Sequence, residues 1–261
     1  MRVSSASATD IGRKRLANED YLRVREDLGL FVVADGMGGH EAGEVASQTA
    51  VEGIEAFIEA TVEMSPHQTW PVPFDPQQTV NRNRLRAAFC WGNRKIAKAV
   101  AASRELETSG KPSMGTTAVA VLIAGQAATV AHVGDSRAYR LRQGQLEQLT
   151  RDHSEVEARI QAGWDPNDPA LDDVRHVVTR ALQGEQDLKV DLQEVSLRPG
   201  DRLLLCSDGV FTVLAEAQIT DMLRRETNPN LDSACQALIR GANEGGGPDN
   251  VTAIVVEVDA V

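Results

Sequence analysis

The chain has little with which to enter a membrane, leave a cell or hold nucleic acid. No run approaches the 18 or so consecutive apolar residues of a membrane-spanning helix, in a sequence of 261 residues that is 42% apolar and 25% charged. The first ten residues, MRVSSASATD, hold no apolar signal core, so an exported protein is not expected. Cys90, Cys206 and Cys235 are an odd number of thiols without CxxC or Cys/His ligand spacing. They read as buried, reduced side chains and point to the cytoplasm. A Lys/Arg stripe is also missing. The 27 basic residues are outnumbered by 38 acidic ones, for a formal net charge of −11, which argues against a phosphate-backbone binder. Part of that excess is expected on carboxylates neutralised by metal, and the rest on an acidic surface that aids solubility.

What the chain does have is four acidic turns, each ending a strand-like apolar segment. They are Asp35 in FVVADGMGGH, Asp135 in VAHVGDSRAYR, Asp208 in LLLCSDGV and Asp249 in GGPDNVTAIVVEV. Taken singly, an Asp-Gly is a turn residue whose side chain caps local N–H groups. Two carboxylates 4 Å apart repel by about 1 kcal/mol in water and about 4 kcal/mol at the effective dielectric of a protein surface. If the four converge, they need a cation or shared protons. An oxygen-rich site suits hard divalent ions such as Mn²⁺ or Mg²⁺.

The remaining pattern predicts an α+β protein. Residues 29–34 form a continuous apolar run suited to a strand covered on both faces. Val51, Ile54, Phe57 and Ile58 recur at helical spacing between Ala42 and Ala60. After a proline-rich loop over 65–76, a second long helix carries Leu85, Phe89, Ile96 and Val100 on one face, and SGKPSM at 109–114 breaks it. Segments 116–123, 127–133, 138–142 and 145–149 then read as an antiparallel meander. A short helix over 154–162 leads into a mobile excursion at 163–184. Further strands are expected at 190–195, 202–206 and 251–258, with helices near 216–225 and 233–243. Strands in runs and helices in pairs favour two central antiparallel sheets flanked by helices, a four-layer α-β-β-α sandwich. No repeat or composition break divides the chain, so one domain over 1–261 is expected, with a flap subdomain over about 154–185.

Seven ordered blocks carry a resemblance. They are RLANED (15–20), DGMGGHEAGEVAS (35–47), GTTAV (115–119), VGDSRAYR (133–140), LTRDHS (149–154), LLLCSDG (203–209) and GGPDNVT (246–252). Together the chain resembles the metal-dependent serine/threonine protein phosphatases of the 2C type in their compact bacterial form, from about Ala8 to Val258. The resemblance implies a pair of antiparallel sheets flanked by helices and a binuclear Mn²⁺ or Mg²⁺ centre. Asp35 would bridge two ions, Gly36 would offer its carbonyl, and Asp208 and Asp249 would complete the direct ligands. Glu19 and Asp20 would act through metal-bound waters, and Asp135 with Asp208 would hold a third, weaker ion.

By the same resemblance, water activated between the ions attacks the phosphoester directly. This is consistent with the lack of any Cys-x5-Arg loop around the three cysteines. Arg15 matches the phosphate-binding arginine, whose planar fork suits two phosphoryl oxygens. His40 is the candidate general acid for the leaving Ser or Thr oxygen. In the eukaryotic form a histidine directly follows the first Asp-Gly, where this chain has Met37. His153 reads as a loop anchor and His132 as a packed core imidazole; Ser136 and Arg137 read as braces of the Asp135 turn, and Thr116 and Thr117 as strand residues that could equally hydrogen-bond to metal-bound water. The expected partners are phosphorylated proteins, among them a bacterial eukaryotic-like Ser/Thr kinase and its targets, met by a monomer. A catalytically dead binding module and a small-phosphoester hydrolase are the other readings; the first would lack the metal aspartates, which are present here.

Overall fold

The computed structural model describes residues 2–38, 42–64, 70, 72–106 and 114–259, with side chains described up to 102 in the second helix. Two antiparallel sheets face each other. One has the order β1 (Arg2–Asp10), β11 (Val251–Asp259), β10 (Arg202–Cys206), β7 (Arg137–Arg142) and β8 (Gln145–Gln148). The other runs β2 (Asp20–Arg25), β3 (Leu30–Gly38), β5 (Ala118–Ala124), β6 (Ala127–Val133) and β9 (Asp191–Ser196). A short β4 (Met114–Thr116) pairs with the distal end of β3.

The strand period of two explains the layers. Along β3, Phe31 and Val33 enter the core between the sheets with Val119, Val121, Leu203, Leu205, Ile254 and Val256. Leu30, Val32 and Ala34 point the other way, into a core with Ile54, Phe57, Ile58, Leu85 and Phe89. Those residues belong to α1 (Ala42–Thr61) and α2 (Val80–Leu106). Covering both faces is why this strand is written without polar alternation. On the outer face of the first sheet, Leu204 and Val255 pack with Ile219, Leu238 and Ile239. These come from α3 (Glu216–Leu223) and α4 (Leu231–Glu244). Burying one such Leu, Ile or Phe contributes about 1.5–3 kcal/mol.

Sequence and structure part at three places. β1 and β2 were not expected as strands: their residues alternate in polarity only loosely, and edge or half-exposed strands give a weak signal. The expected four-strand meander is two hairpins in different sheets, because β5 and β6 pair in one and β7 and β8 in the other. The chain crosses between sheets at residues 134–136. Gly134 there has φ of 103°, and an added Cβ would lie 2.5 Å from the Thr117 side chain, so only glycine fits. Finally, β3 runs on through Asp35 to Gly38, whereas Asp35 is expected in a turn after a strand that stops at residue 34.

Candidate active site

Antiparallel pairing brings the acidic residues to one end of both sheets. Asp20, the first residue of β2, stands directly opposite Asp35 of β3. Thr116 and Thr117 fix the backbone at Asp35: Thr116 Oγ1 donates to the Asp35 carbonyl at 2.8 Å, and the Asp35 N–H donates to Thr117 Oγ1 at 3.2 Å. The next residue must be glycine. The Gly36 N–H donates to the Glu19 carbonyl at 3.1 Å, and a Cβ would meet the Gly43 carbonyl oxygen at 2.2 Å. In the other sheet, Cys206 of β10 faces Ala253 of β11, so Asp208 just after one strand and Asp249 just before the other arrive together. The sheet-crossing turn after Gly134 supplies Asp135, with Thr117 Oγ1 and Ser136 Oγ 2.6 Å apart behind it.

Arg15, Glu19, Asp35, Gly36, Asp135, Asp208 and Asp249 all line one cleft of about 490 Å³. Asp20 is buried, and its Oδ2 accepts from Ser207 Oγ at 2.7 Å. His40 lies outside the described residues, together with Gly39 and Glu41. The cleft also takes in Met37, Gly38 and Thr117, and, from the 163–184 excursion, His176, Val177 and Val178.

Electrostatics set the character of the cleft. Burial pushes the Asp135 carboxyl up to about 7, with the Asp208 charge adding to it. Burial also raises Asp20, against hydrogen bonds from Ser207 and Thr252. Asp35 is raised well above the carboxylate range by burial and then by Asp20, Asp208, Asp135 and Asp249. Asp208 is raised by burial and by Asp249, and Glu19 chiefly by burial. Oδ1 of Asp20 and Oδ1 of Asp208 are buried without any hydrogen-bond partner. Orphaned, mutually repelling carboxylate oxygens fit hard divalent cations.

One cation of the chain itself is present. Arg15 Nη2 donates to Asp249 Oδ2 at 2.6 Å while 53% of its side chain stays exposed. That contact raises the guanidinium pKa further and leaves Arg15 permanently charged. Asn250 holds the loop that carries it. The Asn250 side-chain amide donates to the Ile11 and Ala17 carbonyls, each at 2.9 Å, and its Oδ1 accepts from the Glu19 N–H at 2.8 Å. Arg137, below the Asp135 turn, forks onto Asp152 and lies 3.7 Å over the Phe211 ring.

Asn250, Ser207 and Asp152 stand inside the sequence blocks without a role that the sequence alone assigns. The role of each depends on a partner between 15 and 239 residues away. An Asn after an Asp in a glycine-rich turn reads equally well as a local turn former.

Comparison with known proteins agrees with this geometry. The family model described as Protein phosphatase 2C matches residues 11–243. The serine/threonine phosphatase stp of Listeria welshimeri is 36% identical over 256 residues, which is 95% of this chain and 93% of that protein. The crystal structure of the Mycobacterium tuberculosis serine/threonine phosphatase PstP/Ppp superposes with a TM-score of 0.84 at 34% identity, covering all of both chains. A second structure, the PstP catalytic domain in complex with two manganese ions, gives a TM-score of 0.79 at 34% identity and covers 99% of each chain. This chain belongs to the protein phosphatase 2C family of serine/threonine phosphatases, and its two helix-flanked antiparallel sheets have the fold of those structures.

Proposed function

We propose that the chain hydrolyses phosphoserine and phosphothreonine in proteins, using a centre of two Mn²⁺ or Mg²⁺ ions. The observation that carries this reading is the convergence of five separate acidic segments and Arg15 on one cleft. Asp35, the Gly36 carbonyl, Asp208 and Asp249 would hold the two ions, Glu19 and Asp20 would act through waters, and Asp135 with Asp208 would hold a third. When bound, such ions polarise phosphoryl oxygens and lower the pKa of water near the phosphoester.

The chain's own groups do the rest. Arg15 binds two phosphoryl oxygens with its planar fork, and Asp249 orients that fork from behind. Thr116 and Thr117 keep Asp35 at a fixed depth in the cleft. His40 gives a proton to the departing Ser or Thr oxygen. Residues 154–185 act as a flap within one domain spanning 1–261, with Val177 and Val178 at the rim meeting the substrate chain. The expected setting is a monomer in the cytoplasm opposing a bacterial eukaryotic-like Ser/Thr kinase. No described helix is long and apolar enough to cross a membrane.

The test compares turnover of a phosphothreonine peptide with that of small metabolite phosphoesters, with Mn²⁺ and with EDTA. The peptide is expected to win, and only with metal. A preference for the metabolites would make this a small-phosphoester hydrolase, and full activity in EDTA would end the binuclear reading.

A further inference from the structure

A second group of metal-type side chains lies outside the cleft. Among the described residues, His132, His153 and Asp191 each bring one ligand atom within 4.8 Å of the others. Their orientation is wrong for an ion. The two imidazoles are stacked, with centroids 4.6 Å apart and planes 13° from parallel. Imidazole lone pairs lie in the ring plane, so stacked rings do not converge on a point. His132 Nε2 is already 2.7 Å from the Arg151 carbonyl. A cation is present too: Arg180 Nη1 donates to Asp191 Oδ1 at 2.8 Å and lies 3.1 Å from His153 Nε2.

The same contacts make sense as a clamp. The Gly134 N–H donates to His153 Nδ1 at 3.0 Å. An amide N–H can only donate, so Nδ1 is the acceptor and the ring proton sits on Nε2, 3.2 Å from Asp191 Oδ2. Burial, then the neighbouring His132, lowers the His153 pKa and keeps the ring neutral. The His153 backbone grips the same residue from the other direction, its N–H donating to the Gly134 carbonyl at 2.9 Å. Gly134 is thus held between Thr117 and His153, one residue before Asp135. On its far side, the His153 carbonyl accepts from the Thr179 N–H at 2.7 Å, and the Glu155 N–H donates to the Val177 carbonyl at 2.9 Å. That stretch supplies Val177 and Val178 to the cleft wall.

We propose that His153 is a positioning residue that fixes the Asp135 turn and joins it to the 177–179 stretch of the rim, with Asp191 accepting from Nε2–H to hold the tautomer and Arg180 holding Asp191 in place. The ring then holds the turn before the carboxylate, and the backbone of the same buried residue holds the rim. The consequence for ion binding rests on the reading of Asp135 as an ion ligand.

Two near-isosteres separate the functions of the ring. Asparagine places its Oδ1 near the position of Nδ1 and keeps the acceptor for Gly134. Glutamine places its amide nitrogen near Nε2, keeps the donor to Asp191 and loses that acceptor. In the full chain, His153→Gln is expected to raise the half-saturating Mn²⁺ concentration for p-nitrophenyl phosphate turnover by about tenfold, the effect of one lost buried hydrogen bond. Hydrogen exchange at the Gly134 amide should quicken by about the same factor. His153→Asn should restore both, and the glutamine effect on Mn²⁺ should vanish in an Asp135→Asn background, because coupled residues are not additive. Equal impairment of the Asn and Gln variants, or unchanged Gly134 exchange in His153→Gln, would overturn the clamp. Faster Gly134 exchange with an unchanged Mn²⁺ requirement would keep the clamp and overturn the reading of Asp135 as an ion ligand.

Discussion

Asp20 and Asp35 stand opposite each other across two paired strands, a position where like charges destabilise a sheet. Asp208, Asp135 and Asp249 add further negative charge around the same point. A carboxylate kept there against repulsion, with one oxygen unpaired as in Asp20, has a job that a neutral isostere would not do. Asp208→Ala and Asp249→Ala are each expected to cut Mn²⁺-dependent hydrolysis of p-nitrophenyl phosphate by about 100-fold or more while far-UV circular dichroism stays native. That loss matches the several kcal/mol of charge stabilisation that bound ions supply. Asp135→Ala should assemble the ion pair and still turn over more slowly; unchanged turnover at saturating metal would remove the third ion from the mechanism. His40→Ala should damage phosphothreonine-peptide hydrolysis far more than p-nitrophenyl phosphate hydrolysis, because nitrophenolate leaves without a proton. Equal losses on the two substrates would take His40 out of the general-acid role. At this scale most of the cleft was legible, since Arg15, Glu19, Asp35, Gly36, Asp135, Asp208 and Asp249 stand in distinctive blocks. Asn250 was not, because its three hydrogen bonds reach back across the chain to residues 11–19.

Among the elements, the helices were the easiest to read. The spacing of Val51, Ile54, Phe57 and Ile58 gave α1 almost to its ends, because one helical face packs on one sheet. Strand pairing was harder. β5 to β8 follow one another with short turns, the pattern of a meander, yet the Gly134 turn sends the chain from one sheet to the other. Periodicity reports which residues face a core, and both sheets share the central core, so it cannot say which sheet a strand joins. The excursion over 163–184 shows the opposite case. Its prolines and aspartates read as irregular, and it contains only a 3-10 turn at Pro169–Val174, but two isolated bridges pin it, Ser154 to Val178 and Thr116 to Leu182. Replacing 163–184 with the matching segment of another family member should change the ranking of phosphopeptide substrates and leave p-nitrophenyl phosphate turnover within about threefold, since loops carry specificity on a rigid scaffold. An unchanged peptide ranking would end the flap proposal.

For the molecule as a whole, the cleft makes stability depend on pH and metal together. Asp135 has a folded-state pKa of about 7 against an ordinary value of 3.8, and Asp20, Asp35 and Asp208 shift in the same direction. The metal-free folded protein therefore holds these protons more tightly than the unfolded chain does. The stability they contribute is full below pH about 4 and falls as pH rises, in the case of Asp135 until about pH 7. Asp10, Asp27 and Asp191 shift downward, so their contribution is lost only as pH falls below about 4. Melting temperature in EDTA should thus decline from pH 5 to pH 7.5, values set by about this window. Saturating Mn²⁺ should flatten or reverse the decline, since ions at about 100 times their Kd add about 2.7 kcal/mol to the folded state. The neutral, buried His132 and His153 oppose the decline over the same window, so a melting temperature that still rises with pH in EDTA when both are replaced by Gln would contradict the repulsive cluster. The sequence alone determined the layers, the helix faces and the identity of the acidic blocks, because these follow from local spacing and from side chains written in order. Tertiary structure decided that the blocks meet, which oxygens are left unpaired, and that His153 grips the Asp135 turn. Those depend on antiparallel register and on contacts between distant segments, which no local pattern encodes.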